Sequence, residues 1–317
     1  MDYSFLKQAL KIAKIVYKEN EPLAPKTTFK IGNTADLFII PDTIEQFRST
    51  ICAVKAQEAD YFILGGGSNV VFPDNPYTGI IISTQALNNV SYTDDDIEGL
   101  APNQVLVTCQ SGTPMATFVN FCTRHCLKGV EQFAGLPGSV GGAVYMNARC
   151  FEKSISDVLY QTEHFECTGK GQSKLFLKPF DNSEWDYKKS PFQTNDKFIT
   201  AATFRLTKIP KEEQGQLEAD CKKYIAERVD KGHFKYPSAG SVFKNNHAFG
   251  KPSGKIIDEA GLKGKLIGGA QIAPFHGNFI INVNNATAND VKELVKLTQK
   301  TVKDLYNFDL ETEIIFI

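Results

Sequence analysis

No apolar run in the 317-residue sequence approaches the ~20 residues needed to cross a bilayer. Nor is there a surplus of either charge. Lys plus Arg number 35 and Asp plus Glu 36, a formal net charge of -1 that argues against nucleic acid or an anionic membrane as partner and favours a small-molecule ligand. No polar stretch is long enough to stay disordered, and with 42% hydrophobic residues the chain is expected to fold almost throughout. Seven scattered cysteines in a chain this large do not form a disulfide framework, so reduced thiols are expected. Cys122 and Cys126 bracket His125, but no second pair with ligand spacing follows. They are read as helix packing residues, and no metal is expected. The amino-terminal stretch MDYSFLKQALKIAKIVYKEN carries an acid at Asp2 and places lysines among apolar residues at helical spacing, unlike the unbroken apolar core of a signal peptide. A cytoplasmic protein with no obligate protein partner is the expectation.

The length suits two or three domains. Helical spacing covers residues 43–59, 114–127, 216–231 and 287–306, and strand-like runs occur at TGIIIST, NQVLVTCQSG, VLYQTEHFEC, KLFLKP, FITAATFRLTKI, KLIGGAQIA and NFIINVN. Strands and helices mix without regular βαβ alternation, so the fold class is α+β. The charged stretch PKEEQG marks a hinge. The expected division is residues 1–212, in two parts near 1–70 and 71–212, then 213–300, with 301–317 as a final helix end and strand.

Two glycine-rich segments carry the first functional signal. LGGGSNVVF, Leu64 to Phe72, sets Gly65, Gly66, Gly67, Ser68 and Asn69 between two strand-like runs. The dinucleotide fingerprint fits it poorly, because its third glycine falls at Val70 and the following residues favour a strand over a helix. A triphosphate loop is excluded, since no Lys followed by Ser or Thr closes the segment. Bare backbone amides with a Ser hydroxyl and an Asn amide can instead form a nest for a pyrophosphate, although for this segment taken alone an ordinary tight turn between strands is the better reading. The second segment, AGLPGSVGGAVYMNA, again spreads glycines (Gly135, Gly138, Gly141, Gly142) around Pro137 and Ser139. Only a ligand or another backbone at close range rewards so many missing side chains. Two such loops suggest an extended phosphate-bearing ligand such as a dinucleotide.

These segments, followed by YPSAGSVFKN and by GKIIDEAGLKGKLIGGAQIAPFHGNFIINVNNATANDV, resemble the UDP-N-acetylenolpyruvoylglucosamine reductases over nearly the whole chain, from APKTTFKIG to LETEIIFI. The resemblance implies a split FAD-binding domain of the vanillyl-alcohol oxidase type followed by a smaller α+β substrate domain. It also implies FAD as cofactor, NADPH as reductant and the enolpyruvyl ether of a UDP-sugar as substrate. In such chemistry hydride addition builds enolate charge beside a carboxylate, which calls for a nearby cation and for an acid to protonate the neighbouring carbon.

By position in the family's motifs, Ser241 is the implied proton donor, Glu313 the carboxyl-terminal catalytic glutamate, and Lys188 the residue standing in for an arginine after Tyr187. Lysine keeps the charge but loses the planar fork; Lys189 is its neighbour and alternative. Arg228 is implied as a cofactor contact, and Tyr187, Lys231 and Asn245 as substrate contacts. Arg228 and Lys231, three apart, are read as sharing a helix face, and His276 as structural. Glu311 points to the opposite face of its strand from Glu313. The chain departs from the family at Arg149 to Ser154, at Lys30 in place of an arginine, and at Ile315 where a cation is usual. Two other readings remain: a FAD oxidoreductase of the same fold acting on a sugar or hydroxy acid, and a flavin-free nucleotide-sugar binding protein.

Overall fold

The computed structural model describes residues 3–93, 97–167 and 173–317, so Met1 and the acid at Asp2 lie outside the described residues. Its contacts divide the chain into two compact units: Met1–Glu19, Leu37–Gly66 and Thr78–Ile225 in the first, Asn20–Asp36, Gly67–Tyr77 and Ala226–Ile317 in the second.

The first unit contains helix α1 (Ser4–Ile12), whose Leu6 and Leu10 are buried. The helical spacing expected through Asn20 stops early: Lys14 adopts a left-handed φ of 55°, and Val16–Pro22 is a strand. The β-branched Ile15 and Val16 favour extended backbone once the helix is broken there. Helix α2 (Ile44–Ala56) starts where the Thr43 hydroxyl accepts from Gln46 N at 3.1 Å, and it buries Phe47, Ile51 and Val54 along one stripe. That stripe shares a core with Leu37, Ile39, Ile80 and Ile82. The strands form a four-stranded sheet in the order Val16–Pro22, Thr34–Ile40, Tyr77–Ser83, Tyr61–Leu64, of which the last two run parallel.

A second, antiparallel sheet orders Ser173–Pro179, Leu159–Cys167, Lys197–Lys208, Gln104–Gln110 and Val90–Thr93, with Leu127–Lys128 pairing beside Lys197–Lys208. Helix α3 (Met115–Arg124) buries Met115, Phe118, Val119 and Cys122 in the core of this sheet. Cys126 falls beyond the helix end, with φ 57°. All seven cysteines are free thiols. Helix α4 (Val140–Tyr145) emerges from the second glycine-rich segment, which the sequence alone does not mark as helical. The hinge expected at PKEEQG is a 3-10 turn, Lys211–Glu213, leading directly into helix α5 (Gln214–Asp230), and the contact-based division falls within α5.

The second unit is built on a four-stranded antiparallel sheet ordered Ser238–Ser241, Phe279–Asn282, Ala270–Ile272, Leu266–Ile267. KLIGGAQIA, read as one strand, is a hairpin: Gly268, with φ 52°, turns the chain between Leu266–Ile267 and Ala270–Ile272. Helices α6 (Ser253–Glu259) and α7 (Ala288–Tyr306) contribute Ile256, Ile257, Val291, Leu294 and Val302 to its core. Helix α7 has a capping box, in which Thr287 accepts from Asp290 N and Asp290 accepts from Thr287 N. It is also capped from afar. The Asp74 carboxylate accepts from Ala288 N at 2.6 Å and Asn289 N at 2.9 Å, placing an anion at the positive end of a 19-residue helix. Replacing Asp74 with Ala is expected to cost about 1–2 kcal/mol, read as a lower urea midpoint with an unchanged m-value. Among the described residues no helix is long and apolar enough to cross a membrane.

Candidate active site

In the first unit the two glycine-rich segments meet backbone to backbone. A Cβ on Gly66 would lie 2.4 Å from Gly138 Cα and 2.7 Å from Gly138 C, and one on Gly65 would lie 2.4 Å from Ser139 Oγ. The approach therefore needs both side chains to be absent. The second segment is fixed in turn by Met115 N donating to Gly138 O, Val140 N to Thr113 O and Gly141 N to Ser111 O. Ser139 caps α4, its hydroxyl accepting from Gly142 N at 3.3 Å. Gly135 and Gly138 hold φ values of 72° and 107°. Gly142 and Pro137 are exposed, and a Cβ at Gly142 would meet only Ser139 Oγ, at 3.5 Å. Neither segment contains an acid. Side-chain-free backbone on two adjoining loops, open at Gly142 and without negative charge, fits the pyrophosphate of FAD.

The loop bearing Tyr187 and Lys188 is tied to the far end of α4. Ser190 Oγ and Gln193 Nε2 both donate to Tyr145 O, at 2.8 and 3.0 Å, and Asn147 Nδ2 donates to Asp186 O at 2.9 Å. Lys188 is buried at 9% exposure with a left-handed φ of 60°, its carbonyl accepts from Gln193 Nε2, and its Nζ lies 5.8 Å from the Tyr187 ring centre. Lys189 is exposed. A non-glycine residue in the left-handed region costs conformational energy that the surrounding bonds must hold. The unusual segment Arg149 to Ser154 is a tight hairpin: Arg149–Cys150 pairs with Lys153–Ser154, and Phe151 and Glu152 both take positive φ, as a type I′ turn requires.

In the second unit the remainder of the first glycine loop, Gly67 to Asn69, opens the strand Val70–Val71, which pairs in parallel with the terminal strand Ile315–Phe316. Gly67 is a close-approach position, since its Cβ would sit 2.1 Å from Lys26 O. Ser68 is half-buried between them. Asn69 Nδ2 donates to Glu313 O at 3.0 Å, joining residues 244 positions apart. Residues 311–313 then run antiparallel beside 242–244: Lys244 N donates to Glu311 O and Glu313 N to Val242 O at 2.7 Å. Glu313 thus lies against the residue that follows Ser241. Glu311 forms an ion pair with Lys244 on the exposed side. Ile315 leaves no cation on its own strand, but Lys292 Nζ of α7 lies 5.5 Å from the adjacent Phe316 ring.

Ser241 ends its strand opposite Phe279, while Ser238 pairs with Ile281. Three residue steps on one strand therefore match two on the other, a bulge carried by Gly240 at φ 75°, which re-aims the serine after it. The sequence motif names the serine but gives no sign of this bulge.

Arg228 and Lys231 do not share an environment. Arg228 is buried in the last turn of α5, while Lys231 follows the helix end and is exposed, 3.7 Å from Glu227. Asn245 is exposed, and its Oδ1 accepts from Ser253 N at the start of α6. Lys30 takes φ 58° and donates to Pro25 O. His276 lies in the turn before Phe279, with Nδ1 accepting from Asn278 N; its ring is tilted against the Phe279 ring, on which His233 stacks. Burial first, then the positive charge of Arg228, lowers the His233 pKa to about 4. The unfolded chain protonates this residue near pH 6.5, so between pH 6.5 and about 4 it binds a proton that the folded chain refuses. Stability is expected to fall as pH is lowered through that window. His233→Phe, which keeps the ring stack, should flatten the decline in urea midpoint measured across it.

A family model described as the C-terminal domain of UDP-N-acetylenolpyruvoylglucosamine reductase matches residues 232–317, and one described as an FAD binding domain matches residues 35–171. The reductase of that name from Treponema denticola is 41% identical over 305 residues, covering 93% of this chain and 92% of its own. The Treponema pallidum reductase is 36% identical over 338 residues, covering 96% and 94%. Among solved structures, the crystal structure of the Thermus caldophilus reductase superposes with a TM-score of 0.73 at 29% identity, covering 95% of this chain and 98% of that one. The α+β fold with its split FAD-binding domain, and the paired glycine loops within it, define the class: an FAD-containing oxidoreductase. Within that class the chain belongs to the UDP-N-acetylenolpyruvoylglucosamine reductase family.

Proposed function

We propose that this chain reduces the enolpyruvyl group of UDP-N-acetylglucosamine enolpyruvate to give UDP-N-acetylmuramate, a step of peptidoglycan precursor synthesis, taking electrons from NADPH through bound FAD. The observation that carries the reading is the alignment of Glu313 beside Val242, which sets the terminal glutamate one residue from Ser241 on an adjoining segment. FAD, when bound, supplies the hydride. Residues 1–212 serve the cofactor, 213–300 the substrate, and 301–317 complete the site, with segments 20–36 and 67–77 packed in the substrate-bearing unit.

Gly65, Gly66, Gly67, Ser68, Asn69, Gly135, Pro137, Gly138, Ser139, Gly141 and Gly142 line the FAD pyrophosphate region, and Arg228 adds a cation. Tyr187, Lys231 and Asn245 bind the UDP-sugar. Hydride addition leaves an enolate whose carbon takes a proton from Ser241 Oγ, with Glu313 as the acid that supports it. Lys188 offsets the carboxylate and enolate charge. A lysine gives that charge without bidentate geometry, so Lys188→Arg is expected to retain or raise turnover; loss of activity would mean that the tight left-handed turn accepts only lysine's slimmer head.

The test is anaerobic addition of the UDP-enolpyruvyl sugar to photoreduced holoenzyme. Return of the oxidised flavin spectrum with formation of UDP-N-acetylmuramate supports the reading. A flavin that stays reduced, or a protein purified colourless that takes up no FAD, overturns it.

A further inference from the structure

We propose that Asn278 is a positioning residue for proton delivery, holding the segment after Ser241 in register and, through it, Glu313. The role rests on the assignment of Ser241 and Glu313 made above. Asn278 is buried, at 4% exposure, in the turn between His276 and Phe279. Its carbonyl accepts from Val242 N at 2.8 Å, its Oδ1 accepts from Phe243 N at 2.9 Å, and its Nδ2 donates to Phe243 O at 2.8 Å. Its own N–H donates to His276 Nδ1 at 3.2 Å.

The regular ladder between the two strands ends at the Ser241–Phe279 pair, because the Gly240 bulge has shifted the register. Beyond that pair the side chain of Asn278 takes the place of a partner strand. A carboxamide offers one acceptor and a donor in one plane, as a peptide group does, so it can satisfy both polar groups of the buried Phe243. Asp lacks the donor, and an apolar residue lacks both. Val242 is held from both sides: its N–H is bound by Asn278 and its carbonyl accepts from Glu313 N at 2.7 Å. The carboxamide therefore anchors the Val242–Phe243 peptide through the Phe243 N–H, and the carbonyl of that same peptide accepts from the glutamate's N–H, while the main-chain bond from Val242 N to Asn278 O is independent of the side chain. Loss of the clamp leaves Phe243 N–H and C=O buried without partners, and the segment moves to find others. Displacement of a reacting group by about 1 Å is enough to cost about 100-fold in rate.

The experiment measures both half-reactions by stopped flow on flavin-loaded Asn278→Asp and Asn278→Ala enzymes, alone and combined with Ser241→Ala. Asn278→Asp keeps the acceptor for Phe243 N and turns the donation to Phe243 O into a repulsion between two oxygens, and its bound-flavin content reports folding where the alanine variant fails to accumulate. The expected result is flavin reoxidation slowed about 100-fold at saturating enolpyruvyl substrate, with half-saturating substrate concentration and NADPH-driven reduction unchanged, and with no further loss in the Ser241→Ala background. Equal slowing of both half-reactions, or a full additional loss on top of Ser241→Ala, overturns the role by marking Asn278 as merely structural. Normal reoxidation in Asn278→Asp while Ser241→Ala is slow overturns this role alone. Normal reoxidation in Ser241→Ala overturns the acid assignment, and with it the role of Asn278.

Discussion

Replacing Ser241 with Ala is expected to leave NADPH-driven flavin reduction intact and to slow flavin reoxidation by the enolpyruvyl substrate 10²- to 10⁴-fold, roughly the range that a positioned general acid contributes. The separation follows from where the hydroxyl acts. Reduction of the flavin involves neither the enolate nor its carbon, whereas hydride addition to the substrate reverses unless protonation of that carbon traps the enolate, so net reoxidation depends on the acid. The substitution deletes one hydroxyl from a half-buried strand end, at a site where the main-chain bonds of Val242 and Phe243 remain, so the fold should persist. Stopped-flow traces of the two half-reactions decide the matter: unchanged reoxidation removes Ser241 from the acid role, and equal loss in both points to a damaged cofactor site. Glu313→Gln should resemble it in direction, because it keeps the main-chain bonds to Val242 and Asn69 and removes only the carboxyl acid.

The second large effect lies in the glycine loops. Gly66→Ala is expected to abolish FAD retention and to lower the stability of the first unit by about 1–3 kcal/mol, the usual cost of an overpacked site. Every atom that the new methyl meets within 3 Å is backbone: Gly138 Cα, Gly138 C and Ser139 N. No rotamer change relieves such a clash, so the two loops must separate. Gly142→Ala makes the informative contrast. Its methyl meets only Ser139 Oγ at 3.5 Å, and in a helix alanine is favoured over glycine by about 1 kcal/mol. Folding should therefore be unharmed while FAD affinity falls, if Gly142 is bare because the cofactor passes over it. Thermal midpoints and the ratio of bound flavin to protein separate the two effects. Full flavin occupancy in both variants would sink the cradle.

Much of the site was legible in the residues because it is written locally. Glycines that permit close approach, a serine set among them and an asparagine that ends a loop need no distant partner to be noticed. Helices α2, α3 and α7 carry their own apolar stripes and were readable for the same reason. Local patterns also misled. The lysine-rich start scans as helical to Asn20, yet the chain turns at Lys14 and enters a sheet, because strand pairing outweighs a weak helical preference. The six-residue helix α4 was hidden behind glycines that disfavour helix; its short turns are held by bonds to residues 111–115, outside its own sequence.

By itself the sequence determined the α+β class, the two glycine loops, the absence of a triphosphate loop and, by resemblance, the identity of Ser241, Glu313 and Lys188 as the residues to test. Only the tertiary structure decided where the terminal ETEIIFI packs, that Asp74 caps α7, that Lys188 sits in a left-handed turn, and that Ser241 and Glu313 come to lie on adjoining segments. The reason is physical. Side-chain chemistry and backbone freedom belong to individual residues, but a short strand carries no mark of its partner. Its edge pairs wherever burial of Ile314 and satisfaction of its main-chain groups are best met together, and that is settled by the whole unit at once.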